Sequence, residues 1–294
     1  MLPELELLIP ESLPEVLGAL SERAPDVAPW AGGTNLLVDL RARRYSVGNI
    51  VGLDRVADLG DIRFEDGMVS LGARVTLADV LREPRMRDVG DILLQCARVF
   101  AGAPIRNLAT VAGNVAYASP AGDSIPPLLV LGAEVILEGE GGERTLPMDE
   151  FHRGVRRTAR EPHELITAIR WPKPKASSAG AFHKLGLRKG DAVSVVSVAA
   201  QLTLGEDGSC QEGRIALGAV APKAMRAYRA EEAITGNALT PTLIKEAGRI
   251  AAEECSPIDD VRASAEYRRR MVAVLVRRAL TQIWDELRVE KGAG

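Results

Sequence analysis

Short apolar runs separated by polar and small residues divide the first 55 positions into strand, helix and strand. Leu5 to Ile9 predicts a strand. Ser12 followed by Glu15 has the S-x-x-E spacing of a capping box and opens a helix to Leu20. Val27 to Ala31 is a second strand that runs into a glycine turn, and Asn49-Ile50-Val51-Gly52-Leu53 is a third. This rhythm predicts a small α/β unit ending near Arg55.

The period then changes to that of hairpins. Ile62 to Glu65 and Met68 to Leu71 flank Asp66-Gly67, a dipeptide that tolerates the positive φ angles of tight hairpin turns. Thr76 predicts the cap of a helix over Leu77 to Leu81, and Asp88 to Phe100 reads as a further helix with one apolar side. Ala133 to Leu137 and Thr145 to Leu146, split by Gly139-Glu140-Gly141-Gly142, predict another hairpin, and Leu165 to Trp171 a closing strand.

The stretch from Pro172 to Gly180 combines proline, small and polar residues that oppose regular structure, which marks a domain boundary. Beyond it, strands over Ala181 to Leu187, Val193 to Leu204 and Arg214 to Val220 precede only helices, the signature of segregated α+β layers. In the last helix Val272, Val276, Ala279, Leu280, Ile283 and Leu287 form one apolar face. The expected architecture is therefore α+β. One domain spans 1–173, with subdomains of about 1–55 and 56–173. A second spans 180–288, with a three-stranded antiparallel sheet and helices.

Candidate chemistry concentrates in two small-residue segments, Ala31-Gly32-Gly33-Thr34-Asn35 and Thr110-Val111-Ala112-Gly113-Asn114, with Ser119-Pro120-Ala121-Gly122-Asp123 after the second. Glycine has no Cβ to hold a ligand away, and successive N–H groups in such turns converge into anion-binding concavities. One turn alone marks an ordinary loop. Two suggest an elongated ligand gripped at more than one place, such as a dinucleotide. Neither segment has the G-x-x-x-x-G-K-[ST] or G-x-G-x-x-G spacing, so Walker and Rossmann readings are disfavoured.

Composition narrows the class. The 294 residues are 46% hydrophobic and 26% charged, and a net charge of -3 offers no electrostatic footprint for nucleic acid. The basic clusters Arg41-Ala42-Arg43-Arg44 and Arg268-Arg269-Arg270 read as solvated faces or partner contacts. No secretory signal pattern is visible in Met1 to Pro10, and no run approaches the ~20 apolar residues of a membrane span. Cys96, Cys210 and Cys255 lie far apart without C-x-x-C spacing, which predicts no metal site in this chain and suits a reducing compartment, the cytoplasm.

Taken in order, these segments resemble the flavin-binding medium subunit of the molybdenum hydroxylase family, which includes carbon monoxide and xanthine dehydrogenases. The likeness spans nearly the whole chain. It rests on Ala31 to Thr34, Ile105 to Asn114, and Ala118 to Asp123 leading into Pro126-Pro127-Leu128. In the second domain it rests on Phe182-His183-Lys184-Leu185-Gly186, Val196 to Ala199, Gly218 to Pro222 and Arg262 to Arg268. The resemblance implies a two-subdomain FAD-binding domain of the vanillyl-alcohol oxidase-like (PCMH) type and a family-specific C-terminal module.

It further implies non-covalent FAD. The diphosphate would lie on the loop Ala31, Gly32, Gly33, Thr34, Asn35, Leu36 and Leu37. Thr110, Ala112, Gly113, Asn114 and Ser119 would form a second loop near diphosphate and ribityl chain. Asp123, as an acceptor-only carboxylate, suits ribityl or ribose hydroxyls and would repel a diphosphate. A helix N-cap before Ile125 to Leu131 is its plain alternative. Phe100 and Ile166 align with apolar positions flanking the flavin ring, and Tyr117 with a flavin-side loop; core packing alone also accounts for Phe100 and Ile166. Lys184 matches a lysine at the ring's polar edge, where a cation raises the flavin potential.

By the same resemblance the chain is an electron-transfer flavoprotein subunit with no catalytic or metal-binding residues of its own. Molybdenum cofactor would sit on a large partner and [2Fe–2S] clusters on a small one, in a dimer of heterotrimers, with NAD+, a quinone or dioxygen as final acceptor. Three dispersed cysteines cannot hold the extra [4Fe–4S] cluster of the 4-hydroxybenzoyl-CoA reductase branch. Thr34-Asn35 stands where carbon monoxide dehydrogenase relatives commonly have His-Ser. His152, His163 and His183 are read as lying outside the recognised motifs, which predicts non-covalent FAD and places all three at the surface. Two alternatives are a self-contained FAD-dependent reductase or oxidase of the same fold, and a flavin-free scaffold.

Overall fold

A computed structural model of the chain describes residues 4–292. Strands β1 (Glu6–Leu8), β2 (Val27–Trp30) and β3 (Asn49–Gly52) form a parallel sheet in the order β1-β3-β2. Parallel neighbours need crossovers. The helix Leu13–Arg23 supplies one, and Leu36–Arg41 lies between β2 and β3. The first helix runs three residues past the predicted Leu20. Ser12 accepts from the Glu15 N–H at 3.4 Å, but the Glu15 carboxylate turns to the N–H of Glu11 at 2.9 Å, so the reciprocal half of the predicted capping box is absent.

The second subdomain is a five-stranded antiparallel sheet. β4 (Ile62–Glu65) and β5 (Met68–Gly72) meet at Asp66-Gly67, both at positive φ, as a tight hairpin requires. β6 (Glu134–Gly139) and β7 (Gly142–Pro147) form the second hairpin, and a small one, β8 (His152–Gly154) with β9 (Arg157–Thr158), was not predicted. β10 (Leu165–Pro172) closes the sheet in the order β4-β5-β10-β6-β7. The predicted helix Asp88 to Phe100 is two helices, Met86–Val89 and Asp91–Val99, because the chain breaks at Gly90 where it packs against Met86 and Trp171; Phe100 lies just beyond the second.

In the C-terminal domain β11 (Ser178–Gly186), β12 (Ser194–Leu204) and β13 (Cys210–Gly218) form the long antiparallel strands, and the two-residue β14 (Met225–Arg226) adds a fourth. β11 begins inside the predicted linker. The helices Tyr228–Ile234, Pro241–Glu254 and Ala265–Gly292 follow. All six residues of the predicted apolar face are buried, in a core shared with β11 to β13.

The two domains join along β11. Gln95, on the helix Asp91–Val99, accepts from the Phe182 N–H and donates to the Gly180 carbonyl, each at 2.9 Å. One amide side chain thus satisfies the outer edge of β11 as a neighbouring strand would. Phe182, Ala199 and Ala216 are buried in the first domain's core.

Candidate functional site

After β2 the chain turns through Gly33 at φ +66°, a left-handed conformation that strains other residues. The Leu37 N–H returns to the Gly33 carbonyl at 3.1 Å and starts the helix Leu36–Arg41, with Asn35 at the cap position but making no side-chain cap bond. Among the described residues, the N–H groups of Gly32, Gly33, Thr34 and Asn35 bond to no protein acceptor. Leu36 and Leu37 turn their side chains onto a small core of Ala28, Leu40, Val47 and Ile50, so only their backbone faces the turn.

A Cβ at Gly32 would overlap the carbonyl oxygen of Leu108. That close approach brings the first turn directly against the segment leading into the second. There, Leu77 donates its N–H to the Ala109 carbonyl and Val111 to the Val75 carbonyl, both at 3.0 Å, so the turn is stitched to the loop after β5. Thr110 caps the helix Val111–Tyr117 by accepting from the Gly113 N–H at 2.9 Å. Ala112 is buried in the core. The Asn114 side-chain oxygen accepts from the Ser124 hydroxyl at 2.7 Å, and Ser119 accepts from the Ala121 N–H at 3.2 Å.

Tyr117 ties the turns together from the other end of that helix. The Arg156 guanidinium lies 4.7 Å from its ring centre and reaches Asp39, from the helix after the first turn. Burial, then the neighbouring Asp39 carboxylate, raises the phenol above its ordinary value. Asp39 also pairs with Arg44 at 2.9 Å and Arg156 at 3.1 Å.

At the domain junction Asp123 and Lys184 form an ion pair of 2.6 Å, with side chains only 7% and 8% exposed. The second Asp123 oxygen accepts from the Ser194 hydroxyl at 2.5 Å, and Lys184 also donates to the Val99 carbonyl at 3.3 Å. Two of the carboxylate's roughly four acceptor positions are thus used, which leaves capacity for hydroxyl donors. Asp123 does not cap the next helix: Ser124 holds the cap position of Ile125–Val130, without a side-chain bond. The Cys96 thiol donates to the Asp123 carbonyl at 3.2 Å, and burial, then the Asp123 charge, push its pKa well up.

Phe100 and Ile166 are buried in the same core, Ile166 beside a bulge in β10. Arg106 donates to the carbonyls of Phe100 and Ala101 at 2.9 and 2.7 Å and so holds the bend after the helix, where Ala101 has φ +36°. A cavity of about 430 Å³ opens beside Val99 and Lys184 and continues along Leu185 to Ala192.

These residues fit FAD: unpaired turn amides for a diphosphate, a turn too close-packed for a Cβ, and a buried cation beside a carboxylate with acceptor capacity. Residues 3–174 match the family described as FAD binding domain in molybdopterin dehydrogenase, and residues 181–283 match CO dehydrogenase flavoprotein C-terminal domain. The chain belongs to the FAD-binding medium subunits of the molybdenum hydroxylases.

The medium subunit is 29% identical over 282 residues to the carbon monoxide dehydrogenase medium chain of Hydrogenophaga pseudoflava, covering 96% of this chain and 98% of the relative. It is 28% identical over 289 residues to the nicotinate dehydrogenase FAD-subunit of Eubacterium barkeri, covering 97% of each. The solved carbon monoxide dehydrogenase of Hydrogenophaga pseudoflava lacking the Mo-pyranopterin moiety superposes with a TM-score of 0.93 at 31% identity, over 97% of this chain and 99% of that one. The PCMH-type fold, the FAD-binding domain and the oxidoreductase class follow. Among the described residues no helix is long and apolar enough to cross a membrane.

Two surface expectations are corrected. His152 is 3% exposed, and its Nε2 bonds to the Val115 carbonyl at 2.8 Å; His183 is half-buried, and His163 is exposed as expected. Arg268, read with Arg269 and Arg270 as a solvated face or partner contact, is 1% exposed and bonds to Asp260. Sequence reasoning also missed Ser194, Asp39, Arg106 and Arg156. An acid within the apolar run Leu36-Leu37-Val38-Asp39-Leu40 was a signal for Asp39; nothing local marks Ser194.

Proposed function

We propose that this chain is the electron-transfer subunit of a molybdenum hydroxylase complex, taking electrons from [2Fe–2S] clusters of a small partner and passing them to an external acceptor such as NAD+, a quinone or dioxygen. A large partner would hold the molybdenum cofactor, the whole forming a dimer of heterotrimers in the cytoplasm. The proposed boundaries are 1–173 for the FAD-binding domain, with subdomains of about 1–55 and 56–173, and 180–288 for the C-terminal domain. When bound, FAD supplies the redox chemistry, accepting single electrons and delivering them in pairs.

The observation that carries this reading is the convergence of the two turns at Gly32 and Leu108. The amides of Gly32 to Asn35 would hold the diphosphate, each such bond to a charged acceptor being worth ~1.5 to 3 kcal/mol. Thr110, Gly113, Asn114 and Ser119 would shape the neighbouring wall. Asp123 would accept from sugar or ribityl hydroxyls. Phe100, Ile166 and Tyr117 would bound the ring region, and the Lys184 charge would favour negative charge placed on it.

Chromatography of the acid-released cofactor tests the binding: one FAD per full chain is expected, and FMN or no flavin from a folded, reconstituted sample refutes it. Stopped-flow absorbance on the whole complex tests the route. Iron–sulfur and flavin bands should bleach after substrate is added; flavin that stays oxidised while electrons reach the acceptor refutes it.

A further inference from the structure

The pairing of β11 with β12 slips at one point. Lys184, on β11, lies opposite Ser197 and Leu185 opposite Val196, but Gly186 lies opposite Ser194, so Val195 is an extra residue in β12. Alternate residues of a strand face opposite sides, and one inserted residue reverses that alternation. In unbroken register Ser194 would face away from Lys184. The bulge turns it to the same side, and both side chains meet on Asp123.

A bulge leaves part of the ladder unsatisfied, and here two arginines of the C-terminal domain fill it. Arg262 donates to the Ser194 carbonyl at 3.1 Å, and Arg268 to the carbonyl of Val195, the extra residue, at 3.3 Å. Asp260 locks both guanidiniums, at 2.6 Å each. Arg262, then Arg268, hold the Asp260 carboxyl far below the usual range, so it stays charged. Arg268 also donates to the Ala219 carbonyl at 2.8 Å, and the Ala219 N–H donates to the Pro120 carbonyl at 2.8 Å, inside the turn that carries Asp123.

We propose that Arg262 and Arg268, locked by Asp260, are positioning residues for the FAD site: they hold the β12 bulge that turns Ser194 onto Asp123 and steady the Pro120 turn from behind. The clamp fixes the orientation of the Asp123 carboxylate and thereby the Lys184 ammonium. This rests on the reading of Asp123 and Lys184 as FAD-site residues given above. Neither arginine touches the site itself.

The test uses the full chain reconstituted with FAD, comparing Arg262→Met, Arg262→Lys, Ser194→Ala and the double variant Arg262→Met/Ser194→Ala. FAD dissociation constant, flavin midpoint potential and apoprotein melting temperature are measured for each. Arg262→Met and Ser194→Ala should each weaken FAD binding about tenfold and shift the potential in the same direction. Arg262→Lys, which keeps a cation without the fork, should fall between Arg262→Met and the wild type. The double variant should be no worse than either single one, because both act on one contact. Arginine variants that lower the melting temperature while leaving affinity and potential unchanged overturn the clamp, as does simple additivity in the double variant. A wild-type chain that takes up no FAD overturns the clamp and the site reading together; normal uptake with insensitive Arg262 variants overturns the clamp alone.

Discussion

The two turns of the candidate site are built on opposite principles. The first, at Gly32 and Gly33, presents backbone: its amides are unpaired, its helix lacks a side-chain cap, and its leucines face away into a local core. The second region, from Thr110 to Asp123, presents side chains already engaged, with Thr110 on Gly113, Asn114 on Ser124, and Asp123 on Lys184 and Ser194. A backbone-built turn depends on its own conformation, whereas the second region depends on side-chain partners, nearby ones for Thr110 and Asn114 and those of the other domain for Asp123. The first should therefore fail through φ and steric substitutions, the second through loss of side-chain partners.

The harshest test of the first turn is Gly33→Val. A branched side chain at φ +66° would be strained and would press on the Trp30 indole nitrogen. Isothermal titration should show FAD affinity falling at least about a hundredfold, from several lost amide contacts together. Normal affinity would mean that this turn is not the diphosphate site.

Lys184→Met acts on the second region across the domain boundary and reads out in stability rather than affinity. Removing one partner of a buried ion pair typically costs about 3 to 5 kcal/mol, because the remaining charge stays desolvated. Denaturant unfolding should report a loss of that order, with a lowered flavin potential in the reconstituted protein. Asp123→Asn leaves the buried Lys184 ammonium without its counter-charge and should cost a comparable amount in stability.

A smaller effect is expected for Thr110→Ala, which removes the cap at Gly113 and should lower stability by about 1 kcal/mol. FAD affinity should drop far less than in Gly33→Val. If the two variants are equally damaging to affinity, the contrast between the turns is wrong.

The smallest effect is one of pH. His152 is neutral in the fold and donates to Val115, beside the second turn; burial, then the nearby Lys223 charge, lowers its pKa below the ordinary 6.5. The unfolded chain then binds the proton more readily, so this contribution is complete above about pH 6.5 and fades as pH falls through the folded value. Protection factors for amide exchange in the helix Val111–Tyr117, taken relative to the intrinsic rate at each pH, should fall on acidification. A His152→Gln variant, which cannot titrate, should flatten that dependence.

Much of the fold was legible because it is local. The Asp66-Gly67 turn, the apolar runs of β3, β6 and β10, and the face of the final helix each follow from neighbours in sequence. What misled was equally local: Gly90 breaks a helix whose apolar pattern continues through it, and the Glu15 carboxylate chooses one N–H over another a residue away. His152 and Arg268 were placed at the surface because residue type records polarity, while burial depends on which carbonyls and carboxylates the fold supplies.

By itself the sequence determined the α+β class, the two glycine turns and the family resemblance, since these are written in periodicity and in ordered motifs. Only the tertiary structure decided that Gly32 rests on the Leu108 carbonyl, that Arg156 spans Tyr117 and Asp39, and that Lys184 and Ser194 meet on Asp123. The physical reason is separation along the chain. Asp123 lies 61 residues from Lys184 and 71 from Ser194. A one-residue bulge in β12, which sequence does not announce, decides whether Ser194 faces the carboxylate or turns away from it.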